Sequence, residues 1–411
     1  MHNLGSEPAV LGGDPVFGDV LPFAQPTIPQ FDELVEAGRE VFSSKSITNS
    51  KYVREFEDAV AAYLGVKDAV AVSSCTSGLM LVMRAMELSG EAIVPSFTFS
   101  ATVQSLIWNN IRPVFADCEM GSFNINTRLI EPLITGKTSV LLAVHVFGMP
   151  ADIESLSIIA KKHNLRLIFD AAHAFGSIYK GRHVGSFGDA EVFSLSPTKL
   201  LTTGEGGIIA TNDGSLAGKL RIGRDYANPG DYDCQFPGLN ARMPEFNAIL
   251  GLKGLETIEE KVMKRNDLVD LYKANLRHLP GIDFQEESPE VRSTYKDFSV
   301  LLSPERFGLT RDELSICLDA ENIRTKKYYF PPVHRQKFFT SIYGNHAREL
   351  PVTEHVSQNI LSLPIFSHMQ KGQVVRVCEA VTRIHKYRGR IMSSLRNANE
   401  GKLLSSIAGI H

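Results

Sequence analysis

The sequence predicts an α/β fold with a mostly parallel central sheet covered by helices, plus a smaller α+β C-terminal domain. Three observations carry this. From about residue 68 to residue 211, short continuous apolar runs alternate with helical patterns, as strands buried on both faces do between crossover helices. After about residue 256 that alternation gives way to long charged helical stretches with fewer strands. The length, 411 residues, suits two domains at the usual ~100–200 residues each. The expected division is 1–256 for the large domain with its N-terminal segment, 257–395 for the small domain and 396–411 for a flexible tail.

Taken in order, Ala69-Val70-Ala71-Val72-Ser73 reads as a strand followed by a helix over 76–88. The next strand is 91–95, with a helix running to about 109. Pro113-Val114-Phe115-Ala116 and Ser139-Val140-Leu141-Leu142-Ala143-Val144 read as strands. Residues 152–163 are helical with Asp152 as N-cap. Strands at 165–169, 190–194 and 208–211 complete the sheet. In the C-terminal part Phe298-Ser299-Val300-Leu301-Leu302 is the clearest strand, with helices over 310–321 and 371–390. Ligands of such sheets bind outside the carboxyl ends of the strands. Ser73, His145 and Asp170 sit at those ends, so one face should carry the chemistry.

Formal net charge is −3 without a long basic block, which weighs against nucleic acid as a partner. No apolar run approaches the ~20 residues of a membrane span, and Met1-His2-Asn3-Leu4-Gly5-Ser6-Glu7 lacks the regions of a signal peptide. The five cysteines, Cys75, Cys118, Cys234, Cys317 and Cys378, are scattered, and no pair has metal-ligand spacing. Free thiols in a reducing compartment follow. A cytoplasmic protein with no metal is the expectation.

The chemistry concentrates between Asp170 and Lys199. An acid at one strand end and a lysine just past another suit a cofactor with two handles: a ring nitrogen that needs an anion and an aldehyde that needs an amine. Pyridoxal phosphate has both. An unperturbed lysine, pKa ~10.4, is neutral at pH 7 only about once in 2,500 molecules, so a functional one needs desolvation or nearby positive charge. Phe193, Leu195, Leu200 and Leu201 give Lys199 an apolar setting, although most loop lysines are simply solvated. Asp170 either caps a following helix or opposes a pyridine nitrogen. An opposite charge within ~4–6 Å shifts a pKa by ~1–3 units, which would favour the electron-accepting pyridinium. His173 either stacks on the ring or bonds its phenolic oxygen, or else is a satisfied core histidine. Ser73-Ser74-Cys75-Thr76-Ser77-Gly78, between strand and helix, is an anion site or a plain N-cap, and Ser194 could add a hydroxyl. Phe97 and Phe99 put aromatics at a strand end, to cover a planar ring or fill the core. Gly204-Glu205-Gly206-Gly207 matches no nucleotide-binding loop and reads as flexible backbone after the lysine.

In combination these motifs resemble the DegT-like sugar aminotransferases of the fold type I pyridoxal phosphate enzymes. The likeness runs from about 21 to 390. It rests on Ser46-Ile47-Thr48-Asn49, Val94-Pro95-Ser96-Phe97-Thr98-Phe99, His145-Val146-Phe147-Gly148, Asp170-Ala171-Ala172-His173-Ala174-Phe175-Gly176, Pro197-Thr198-Lys199 and Gly238-Leu239-Asn240-Ala241-Arg242-Met243. The resemblance implies Lys199 as the imine-forming lysine and Asp170 as partner of the pyridine nitrogen. It implies Phe99 stacked on the ring, His173 near the phenolic oxygen, and Thr76, Ser77 and Ser194 around the phosphate. Asn240 would reach the phosphate of the neighbouring subunit, which implies a homodimer with shared active sites. Cys75 departs from the glycine common at its place. Thr48, Tyr328 and His334 are expected near the substrate, the last two from Thr325-Lys326-Lys327-Tyr328-Tyr329-Phe330-Pro331-Pro332-Val333-His334.

Relatives that dehydrate carry histidine in place of the lysine, so Lys199 favours transamination. The expected reaction moves an amino group from L-glutamate or glutamine to a keto sugar, closest to nucleotide-linked 4-keto-6-deoxyhexoses. The alternatives are a keto-cyclitol aminotransferase and a non-catalytic, regulatory pyridoxal phosphate-binding protein.

Overall fold

The computed structural model describes residues 6–343 and 349–395; the expected tail, 396–411, lies outside them. Seven strands make the central sheet: β1 (Asp68–Val72), β2 (Glu91–Pro95), β3 (Arg112–Ala116), β4 (Thr138–Val144), β5 (Arg166–Asp170), β6 (Ala190–Ser194) and β7 (Gly207–Thr211). Their spatial order is β1-β7-β6-β5-β4-β2-β3. Pairing is parallel from β6 through β3, with Asp170 opposite Val192. β7 runs antiparallel to both neighbours, Ser194 facing Gly207 and Val72 facing Gly207 from the other side. All five β7 residues are buried, and a strand apolar on both faces reads the same in either direction, so its orientation was not legible.

Helices α1 (Lys51–Leu64), α2 (Cys75–Ala85), α3 (Ser100–Trp108) and α4 (Ile153–Lys162) flank this sheet. Ser74 starts α2 by a reciprocal capping box with Ser77, which satisfies two otherwise orphaned N–H groups. Asp152 caps α4 through the N–H of Ser155, as expected. Gly78 lets α2 lie on the sheet: a Cβ there would sit 2.7 Å from Val192 Cγ1.

The charged helical stretch expected after about 256 is α5 (Ile258–Leu276), which follows helix Glu245–Glu256 across Thr257. Val262 of α5 packs with the helices on the large sheet, while Leu268, Val269, Tyr272 and Leu276 enter a second apolar cluster. That cluster is built on a three-stranded antiparallel sheet, β8 (Ile282–Phe284), β9 (Phe298–Leu302) and β10 (Ile360–Leu363), with α6 (Arg311–Ala320) and α7 (Lys371–Lys386). The N-terminal segment, grouped on sequence with the large domain, packs Val16, Phe17 and Leu21 into this same cluster. Buried Glu321 fastens it there by accepting the N–H groups of Ala9 and Val16 beside Arg383.

Candidate active site

At the carboxyl ends of β5 and β6 lies a cavity of about 300 Å³. Asp170, the last residue of β5, is buried. Its Oδ2 accepts the Thr102 hydroxyl of α3 at 2.7 Å, and Oδ1 accepts the N–H of Ala172 at 3.0 Å and the Cys75 thiol at 3.7 Å. No helix follows Asp170, so the capping alternative does not apply. Hydrogen bonds to a charged group contribute roughly 1.5–3 kcal/mol each, and they hold this carboxylate at the cavity. Burial and Asp170 push the Cys75 thiol well up, which keeps it protonated and a donor.

Past the end of β6 the chain turns, Lys199 N–H bonding the Ser196 carbonyl at 3.0 Å, and carries Lys199 into the cavity lining. Burial, and then the Lys296 ammonium, lower the Lys199 amine to about 8. At that value about one molecule in ten is neutral at pH 7.

The opposite wall comes from the C-terminal half: Lys296, Tyr328 and Tyr329. Lys296 Nζ bonds Asp297 Oδ1 at 2.7 Å. The other carboxylate oxygen, Oδ2, lies 3.9 Å from His173 Nδ1. Burial first, then Lys199 and Lys296, push His173 well below the ordinary histidine range, so its imidazole is neutral. The Phe147 ring lies parallel to it, 11° between planes. Phe147 itself has φ of +59°, a conformation that costs a bulky residue roughly 1–3 kcal/mol.

The third wall is the start of α2. Ser77 N–H bonds the Ser74 side chain and Gly78 N–H the Ser74 carbonyl, leaving the first helical N–H groups, of Cys75 and Thr76, for an anion. Ser194 and Ser196 hydroxyls stand 3.3 Å apart beside them. A Cβ on Gly207 would fall 2.6 Å from the Ser74 carbonyl carbon and 2.7 Å from Cys75 N. Gly207 is thus required for close approach of β7 to this helix start. Of the three glycines in the run 204–207, expected as loose backbone, only Gly204 has open space around it, at φ +80°.

Lys199, Asp170, His173, Phe99, Thr76, Ser194 and Tyr328 all line the cavity. Phe99 stands at its rim, 59% exposed. Ser77 is one step behind, its hydroxyl spent on the capping box. Asn240 is exposed and bridges Asp225, off this cavity. Thr48 is also off it, donating to the Met243 carbonyl at 3.1 Å. His334, expected near substrate, is an interior residue: it is 1% exposed, its Nδ1 is 2.6 Å from the Ser96 hydroxyl and its Nε2 is 3.1 Å from Glu354. His145 is interior too, accepting the Ala151 N–H and stacked on Phe169. The sequence reading missed Thr102, Lys296 and Asp297. A charged pair immediately before the buried strand 298–302 was the available signal for the last two.

A group with a ring nitrogen, an aldehyde and a phosphate finds a counterpart for each here: Asp170, Lys199, and the α2 start with Ser194 and Ser196. The model of the DegT/DnrJ/EryC1/StrS aminotransferase family matches residues 30–382. The chain belongs to this family. Members are pyridoxal phosphate-dependent, and this chain is a pyridoxal phosphate-dependent aminotransferase. It is 31% identical to dTDP-4-amino-4,6-dideoxy-D-glucose transaminase of Escherichia coli, covering 87% of this chain and 96% of the relative. GDP-perosamine synthase of Escherichia coli O157:H7 is 32% identical, over 89% of this chain and 97% of its own. The structure of DesI with its TDP-sugar product superposes on this aminotransferase with a TM-score of 0.89 and 32% identity, covering 95% of this chain and 99% of that one. Among the described residues no helix is long and apolar enough to cross a membrane.

Proposed function

We propose that this aminotransferase moves the amino group of L-glutamate, or glutamine, to a nucleotide-linked 4-keto-6-deoxyhexose, working as a cytoplasmic homodimer with shared sites. The observation that carries the reaction type is Lys199 and Asp170 on one cavity, the lysine lowered to about 8. The sugar class is supported by the relatives, whose names specify a 4-amino-4,6-dideoxyglucose and perosamine. The dimer is supported by Asn240 standing exposed off its own cavity, and by Phe31, Phe42 and Trp108, each more than two-thirds exposed.

Pyridoxal phosphate, when bound, supplies an aldehyde for the amine and a ring that takes up electrons. Lys199 Nζ is the group that would hold the aldehyde. The same nitrogen, when free, would serve as the base for the proton on the donor's α-carbon, a role suited to a base whose pKa lies near working pH. Asp170, held in place by Thr102 and Ala172, would offer its carboxylate to the ring nitrogen. The N–H groups of Cys75 and Thr76, with Ser194, would hold the phosphate, Phe99 would cover the ring, and Tyr328 would bound the space left for substrate.

The test is borohydride reduction of the cofactor-loaded protein followed by peptide mass mapping. The reading expects the cofactor mass on Lys199 and on no other lysine, and a Lys199→Ala protein without multiple turnovers. A label elsewhere, or turnover by the variant, would sink it.

A further inference from the structure

Two buried atoms just behind the cavity wall face one another without partners. His173 Nδ1 and Asp297 Oδ2 are 3.9 Å apart, and neither makes a hydrogen bond. The gap is about 1 Å longer than an ordinary N–H···O bond, within reach of a small ring rotation. The carboxylate is held from behind, its Oδ1 bonded to Lys296 Nζ at 2.7 Å. The backbone is fixed as well, since Lys296 N–H bonds the carbonyl of Phe147, whose ring lies parallel to His173. An ionised carboxylate only accepts, and a neutral imidazole has a single N–H.

We propose that Asp297 is a positioning residue for His173, holding the imidazole hydrogen on Nδ1 so that Nε2 meets the cavity as a bare acceptor. Nε2 is not among the buried unpartnered atoms, and the 12% of the side chain that stays accessible belongs to a residue lining the cavity. A carboxylate that fixes one ring nitrogen decides what the other can do, as it does for metal-bound and catalytic histidines. Lys296, Asp297 and His173 then form a chain from the foot of β9 to the cavity, so the C-terminal sheet sets the hydrogen-bond character of a group attached to the large one. Burial beside two lysines keeps the ring neutral, which makes its tautomer the deciding property. An acceptor there takes a hydrogen bond from a bound hydroxyl; resting on the functional reading above, that hydroxyl is the cofactor's phenol.

The experiment is ¹⁵N NMR of histidine-labelled full-length holoenzyme, with the His173 signals identified by their loss in His173→Gln. The wild type is expected to show a protonated Nδ1 and a bare Nε2. Asp297→Asn, whose amide offers an N–H to the ring, is expected to exchange the two. A wild-type ring protonated at Nε2, or a variant that leaves the pattern unchanged, overturns the proposal. The wild-type spectrum decides the matter even where the variant does not fold. The absorbance of the same sample reports the Lys199-bound cofactor separately, so failure of the tautomer and failure of the functional reading are distinct outcomes.

Discussion

Thr102 donates its hydroxyl to Asp170 across 2.7 Å, from the helix α3 to the end of strand β5. Thr98 stands one turn before it, its hydroxyl 2.8 Å from that of Thr102. The carboxylate at the cavity is therefore supported by a hydroxyl pair, Thr102 in the first turn of α3 and Thr98 just before that helix.

Replacing Thr102 by valine keeps the shape and removes that donor. Loss of a bond to a charged group, roughly 1.5–3 kcal/mol, predicts pyridoxal phosphate binding weaker by about tenfold or more, read by absorbance titration. An unchanged Kd would show that Ala172 and Cys75 suffice for Asp170.

The pH dependence of Lys199 follows from its surroundings. Its amine is lowered to about 8 by burial and Lys296, with Asp297, Cys75 and Asp170 acting in the opposite direction and neutral His173 beside it. The nucleophilic neutral amine must then grow as pH rises through about 8. In cofactor-free protein, the rate of Lys199 modification by an amine-selective reagent should show that midpoint. Lys296→Met removes the repelling charge, so the midpoint should move up, toward the ordinary 10.5. A downward shift would contradict the electrostatic account.

Gly207 and Gly204 separate close approach from flexibility. An alanine Cβ at 207 meets the Ser74 and Cys75 backbone, whereas at 204 it meets open space. Gly207→Ala should displace the start of α2, lowering stability by about 1–3 kcal/mol and weakening cofactor binding. Gly204→Ala, strained only by its positive φ, should cost about 1 kcal/mol and leave binding unchanged. Equal effects in urea unfolding and cofactor titration would remove the structural distinction drawn here.

The shared-site dimer is open to complementation. Mixing Lys199→Ala and Asn240→Ala chains under exchange should produce heterodimers with one doubly defective and one intact site, and activity above the sum of the parents. Activity equal to that sum would place Asn240 outside the partner's site.

Asp170, Lys199, Thr76 and Ser194 were legible because a parallel sheet forces chemistry to its strand ends, and their neighbours in sequence are their neighbours in space. Thr102, Lys296 and Asp297 were not. Thr102 meets Asp170 and Asp297 faces His173 through tertiary contacts between distant segments, which periodicity does not record, and the one trace of Lys296 and Asp297 was a charged pair before the strand 298–302. The same reason hid the placement of Val16, Phe17 and Leu21, since chain order does not say which apolar cluster a terminal segment will join. His334 was misread because the loop's resemblance marks proximity to substrate, while its hydrogen bonds to Ser96 and Glu354 turn it inward.

The most direct measurement is product mass after incubation with ¹⁵N-glutamate and a nucleotide-linked 4-keto-6-deoxyhexose. The account predicts an amino sugar carrying ¹⁵N from the wild type over many turnovers, and none from Lys199→Ala. A wild-type protein loaded with cofactor that transfers no ¹⁵N to this sugar class, or a variant that does so repeatedly, would contradict it.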